Sequence, residues 1–165
     1  MSPCLIKRLT QNGLQAVDYS ATSLADAVQY EPDDGVYTVA NTFNTTQTLM
    51  LDAHLDRLED SAQRANISLE LDRSPLKTAL RTMILESGFG DVRFRVTVPK
   101  ATSDEMILSI EPFTPLTAEF INKGVRCITA PNSARHNAAA KTTDWMHNRR
   151  ALTDAMPEGI YDTIL

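Results

Sequence analysis

Several features are missing from this 165-residue chain, and each absence excludes something. No apolar run approaches the roughly 20 residues that a membrane-spanning helix needs. The opening residues, Met1-Ser2-Pro3-Cys4-Leu5-Ile6-Lys7-Arg8, lack the apolar stretch of a secretory signal. There are two cysteines, Cys4 and Cys127, far apart and outside any C-x-x-C pair. That excludes a disulfide scaffold, and both read as reduced thiols of a cytoplasmic protein. His54, His136 and His147 stand without metal-ligand spacing, so no metal site is expected. The nucleophile elbow G-x-S-x-G and the glycine-rich phosphate fingerprints are also absent. Positive charge is sparse: sixteen basic against twenty-one acidic side chains give a net charge of −5. The basic residues gather into nothing larger than pairs such as Arg149-Arg150, so no nucleic-acid partner is expected.

What is present is ordinary for a globular chain, with 42% hydrophobic and 22% charged residues. Short strands are expected over Cys4–Leu9 and Leu14–Tyr19, on either side of the turn Gln11-Asn12-Gly13. Ser23 can cap a short helix to Tyr30, with Leu24, Ala27 and Val28 on one face. The loop Glu31-Pro32-Asp33-Asp34-Gly35 leads into a β-rich run, Val36–Phe43, and a further strand is expected over Thr48–Leu51. Leu51, Leu55, Leu58, Ala62 and Ala65 recur at helical steps, which predicts a helix over 53–66 with Asp52 as its N-cap. Ser74 and Pro75 mark the start of a second helix, with Leu76, Leu80, Met83 and Ile84 as its buried stripe and Gly88 as its stop.

At Asp91 the period changes from 3.6 to 2. Val92, Phe94, Val96 and Val98 face one way, and Arg93, Arg95 and Thr97 the other. A hairpin at 99–104 joins this strand to Glu105–Phe113. Beyond it come a connector to Gly124, a strand Val125–Thr129, a helix Thr142–Met156 and a strand Ile160–Leu165. A terminal strand needs a neighbour, so either more chain or a second chain is expected to cover it. The expected fold class is α+β, a two-layer sandwich of antiparallel sheet and helices over residues 1–115. A connector over 116–124 then leads to the opening of a second α/β domain over 125–165.

Three places can carry chemistry. Arg57 lies beside the apolar stripe of its helix. It is either a snorkelling side chain or a planar fork for phosphate oxygens. Lys141 follows three alanines at a helix start, where small neighbours leave room for a flat ring and an added positive charge is disfavoured. It is either a solvated lysine or an amine able to attack a carbonyl. Arg93 and Arg95 share one face of a strand, either solvated or aimed at a substrate carboxylate.

Four stretches together resemble the class IV aminotransferase family, the fold type IV pyridoxal-phosphate enzymes. This family includes branched-chain and D-amino acid aminotransferases and aminodeoxychorismate lyase. The stretches are Gly35-Val36-Tyr37-Thr38-Val39, His54-Leu55-Asp56-Arg57-Leu58-Glu59-Asp60-Ser61-Ala62, Val92–Thr97, and Lys141-Thr142-Thr143-Asp144-Trp145 followed by Gly159-Ile160-Tyr161-Asp162. The resemblance implies pyridoxal 5'-phosphate as cofactor, Lys141 as catalytic, cofactor-binding lysine, and Arg57 as phosphate ligand. It places Tyr37 on the substrate side, and Arg93 or Arg95 as substrate-carboxylate contacts. It further implies an amino acid and a 2-oxo acid as substrates and a homodimer as the assembly. Pyruvate elimination from aminodeoxychorismate, or a non-catalytic binding or assembly domain, stand as alternatives. Val98-Pro99 and Asn41-Thr42 replace residues common in the family. Its glutamate partner for the ring nitrogen and its second phosphate site fall past Leu165. The chain is therefore expected to be incomplete, to hold cofactor weakly and to be inactive alone.

Overall fold

The computed structural model describes residues 4–130 and 138–164. Seven strands and four α-helices follow in order: β1 Leu5–Thr10, β2 Gly13–Ala16, β3 Gly35–Asn41, α1 Leu51–Arg64, α2 Arg73–Ser87, β4 Val92–Pro99, β5 Met106–Pro112, α3 Ala118–Lys123, β6 Cys127–Thr129, α4 Thr143–Asp154 and β7 Asp162–Ile164. A 3-10 turn covers Asp26–Tyr30. The first five strands form an antiparallel sheet in the order β2-β1-β5-β4-β3. This is the expected α+β architecture.

Alternation along β4 divides the sheet into two faces. Val92, Phe94, Val96 and Val98 are fully buried with Leu108 and Ile110 of β5, beneath Leu55, Leu58 and Ala62 of α1 and Leu76, Leu80, Met83 and Ile84 of α2. These are the stripes that the periodicity marks. The opposite face is covered by a smaller apolar group, Cys4, Ile6, Ala21, Leu24, Ala27 and Ile107.

Several boundaries differ from expectation. Thr48–Leu51 is not a strand: the chain turns there, and α1 starts at Leu51 after Met50, which takes left-handed geometry (φ 52°). Asp52 therefore lies inside the first turn rather than at the cap, where its carboxylate meets Lys77 at 2.7 Å. The second helix begins earlier than Ser74, because Asp72 is its cap and accepts from the Ser74 amide at 3.2 Å. Gly88 ends it in left-handed geometry, as expected. The segment at Ser23–Tyr30 winds as a 3-10 turn, with Ser23 Oγ accepting from the Asp26 amide at 3.0 Å. The return strand after the first turn stops at Ala16 rather than Tyr19. The connector after Phe113 contains α3, capped by Thr117. Beyond it, β6 and β7 pair in parallel, so the strand near the end of the chain does have a neighbour.

Candidate active site

The site is assembled at the outer edge of β3. A short strip of chain at 140–143 lies along this edge strand. Tyr37 N donates to Lys141 O at 3.0 Å, Val36 and Thr142 form an antiparallel bridge, and Thr143 Oγ1 donates to Gly35 O at 3.3 Å. The strip is well seated, with Ala140 and Thr143 buried. Gly35 permits this close packing, since a Cβ there would stand 2.6 Å from Val98 O and 3.3 Å from Thr143. Only the smallest residue fits between the neighbouring backbone and the strip.

Lys141 is half-buried, and its Nζ stands 5.3 Å from the centre of the Tyr37 ring. Cation and aromatic face attract at this separation. On the other side of the sheet edge, α1 presents His54, Arg57 and Ser61, which share one helix face by their three- and four-residue spacing. His54 Nδ1 lies 3.4 Å from Thr38 Oγ1. Its pKa is lowered from 6.5, first by burial, then by the positive charges of Lys141 and Arg57. The positive charges of both side chains therefore act on the same imidazole.

Three acidic residues of α1 face elsewhere, and the fourth, Asp60, pairs with Arg64 at 2.8 Å. Arg73 gathers Asp56 at 2.7 Å, Asp52 at 3.7 Å and Glu59. Arg57, exposed on the other side, has no ion-pair partner among the described residues. Its fork remains available to an outside anion, whereas a phosphate would meet repulsion on the Asp52–Asp56–Glu59 face.

A cavity of about 570 Å³ opens beside Lys141 on the sheet face opposite the α1–α2 core. Tyr37, Arg93, Arg95 and Lys141 all line it, together with Met146 and Arg149 of α4. The two strand arginines differ. Arg93 is exposed and unpaired among the described residues. Arg95 is buried against Glu31: its Nε donates to Glu31 Oε1 at 2.8 Å, and its Nη1 donates to Leu24 O at 3.0 Å. Nη2 lies 2.6 Å from the same carboxylate oxygen but off the line of a hydrogen bond, which leaves a donor unused. Arg95 thus spends most of its fork inside the protein, a role that strand alternation alone did not reveal.

Ser61 was visible in the sequence only as part of a motif. It is fully buried, with its hydroxyl between α1 and the Lys141 strip. Its four-residue distance from Arg57 was the available signal. Of the histidines, His147 on α4 sits 3.9 Å from Asp33, and His136 lies outside the described residues. No group of three or more metal-ligating side chains gathers among the described residues, and no described helix is long and apolar enough to cross a membrane.

The family model for amino-transferase class IV matches residues 35–165. The chain belongs to the class IV aminotransferase family. No curated protein matches it in sequence. Among solved structures, it is similar to a fold IV transaminase from Curtobacterium pusillum, with a TM-score of 0.69 and 18% identity over 98% of this chain and 63% of that one. It is similar also to a hypothetical aminotransferase from Mycobacterium tuberculosis in its PLP-bound form, at 0.65 and 20%, covering 96% and 61%. A protein provisionally named 4-amino-4-deoxychorismate lyase matches at 0.64 and 25%, covering 93% and 60%. The chain thus spans about three fifths of the length of these class IV structures.

Proposed function

We propose that this chain carries the lysine-bearing part of an enzyme that moves an amino group between an amino acid and a 2-oxo acid, with pyridoxal 5'-phosphate as cofactor. When bound, the cofactor supplies an aldehyde for an amine and a ring that withdraws electrons from the substrate α-carbon. Lys141 is the catalytic residue in this reading. Its Nζ holds the cofactor and then carries the proton taken from the substrate α-carbon. Arg57 grips the phosphate with its exposed fork. Tyr37 flanks the substrate, and Arg93, with Arg95 beside it in the cavity wall, receives a substrate carboxylate. The donor set fits the group: a guanidinium without an acidic partner among the described residues, for an anion, and an amine set against an aromatic face.

One observation carries the reading: the backbones of Arg57 and Lys141, far apart in sequence, meet at the buried Ser61 hydroxyl, 2.7 Å from Arg57 O and 3.2 Å from Lys141 N. The division we adopt is a sandwich over 1–115, a connector over 116–124 and the opening of the cofactor-binding domain over 125–165. A homodimer in the cytoplasm completes the proposal. The free thiols of Cys4 and Cys127 suit that compartment, and light scattering tests the assembly.

The test is borohydride reduction after incubation with pyridoxal phosphate, followed by peptide mapping. Modification should concentrate on Lys141. Arg57→Ala should weaken cofactor binding about 10- to 100-fold, the loss of a charged hydrogen-bond pair. Modification spread evenly over Lys7, Lys77, Lys100, Lys123 and Lys141 would overturn the assignment. The 25% identity to the lyase-named structure supports a second reading, pyruvate elimination from aminodeoxychorismate. Pyruvate release without a 2-oxo acid acceptor decides for it. A protein that modifies no lysine selectively, yet still associates, would be a non-catalytic assembly domain.

A further inference from the structure

We propose that Ser61 is the positioning residue that holds Lys141 in register with Arg57; this rests on the reading of Lys141 as the cofactor lysine. Ser61 Oγ lies 2.7 Å from Arg57 O and 3.2 Å from Lys141 N. The direction of both bonds follows from the partners. A backbone carbonyl only accepts and an amide N–H only donates, so the single hydroxyl proton goes to Arg57 O and a lone pair receives the Lys141 amide. One buried oxygen thereby joins the backbones of both proposed cofactor residues.

This link has a specific job. The strip at 140–143 is otherwise tied to β3, through Lys141 O, the Val36–Thr142 bridge and the Thr143 hydroxyl. Those contacts fix the strip against the sheet, while Arg57 rides on α1. The Ser61 bond couples the strip to the helix. Losing it leaves the Lys141 amide without this acceptor and lets the strip shift relative to α1. The helix itself loses little, because alanine is a better helix former than serine and a bond back to the i−4 carbonyl does not strengthen a helix.

The test compares the chain with Ser61→Ala and Ser61→Thr after incubation with millimolar pyridoxal phosphate and borohydride reduction. The readout is the ratio of modification at Lys141 to that at Lys7, Lys77, Lys100 and Lys123. Amide hydrogen exchange at Lys141 is measured without cofactor. Ser61→Ala should lower the ratio about tenfold and speed exchange at Lys141 by a similar factor, the scale of one hydrogen bond. Exchange within α1 should not change. Ser61→Thr keeps the hydroxyl and should restore both. If the unsubstituted chain shows no preference for Lys141, the underlying reading has failed. If that preference exists and Ser61→Ala keeps it, or Ser61→Thr loses it while folded, the role of Ser61 is overturned.

Discussion

At the scale of single residues, His54 and the buried Glu31–Arg95 pair each tie a charge near the site to stability. The folded protein lowers the pKa of His54 below 6.5 and so favours neutral imidazole. The unfolded chain therefore takes up the proton first as pH falls. The contribution of His54 is complete above about pH 6.5 and is lost as the pH drops through its lowered folded value. Urea midpoints measured from pH 7.5 down to 5 should decline, and His54→Asn should flatten that decline. Glu31 and Arg95 have side chains only 2% and 5% exposed, so removing one strands the other. Glu31→Ala should cost about 3–5 kcal/mol in urea unfolding, and the double change Glu31→Ala with Arg95→Met should recover most of it. Cys4 and Cys127 differ in the same way. Burial, with Glu111 adding to it, pushes the Cys4 thiol up to about 11, whereas Cys127 is exposed. Alkylation at pH 8 should therefore mark Cys127 and spare Cys4.

At the scale of elements, the sheet and its two long helices were legible because periodicity and burial agree there. Val92, Phe94, Val96 and Val98 recur at every second position and all pack into the helix-covered core, and the stripes of α1 and α2 are those that meet the sheet. Thr48–Leu51 misled because an apolar run that ends a loop and starts a helix looks like a strand in isolation. The left-handed Met50 that turns the chain has no signature in its residue type. Arg57 and Lys141 stand out in the sequence as residue types in context, and Tyr37 by resemblance. The bond between Ser61 and the Lys141 strip, and the Glu31–Arg95 pairing, join residues distant in sequence that no local pattern links. Gly35 is the element-scale test. Its φ is not the reason for glycine; the 2.6 Å approach to Val98 O is. Gly35→Ala should destabilise the protein by about 1–3 kcal/mol, the usual range for overpacking, as read from the urea midpoint.

Taken as a whole molecule, the protein gathers the proposed site residues at a border rather than in a core. Arg57 belongs to the helical layer, Tyr37 and the arginines belong to the sheet, and Lys141 arrives from the segment after β6. The family match from 35 to 165 runs through all three. The strip at 140–143 also has a consequence unrelated to catalysis. Without it, the outward amide of Tyr37 and the carbonyl of Gly35 would face water on an unguarded border strand, ready to recruit another molecule by main-chain pairing. A version ending at residue 124 should form thioflavin-positive aggregates faster than the 165-residue chain at equal concentration. Equal lag times would show that this seam gives no protection. If the lag shortens, the stretch that delivers the amine is also what keeps these molecules from zipping together into fibres.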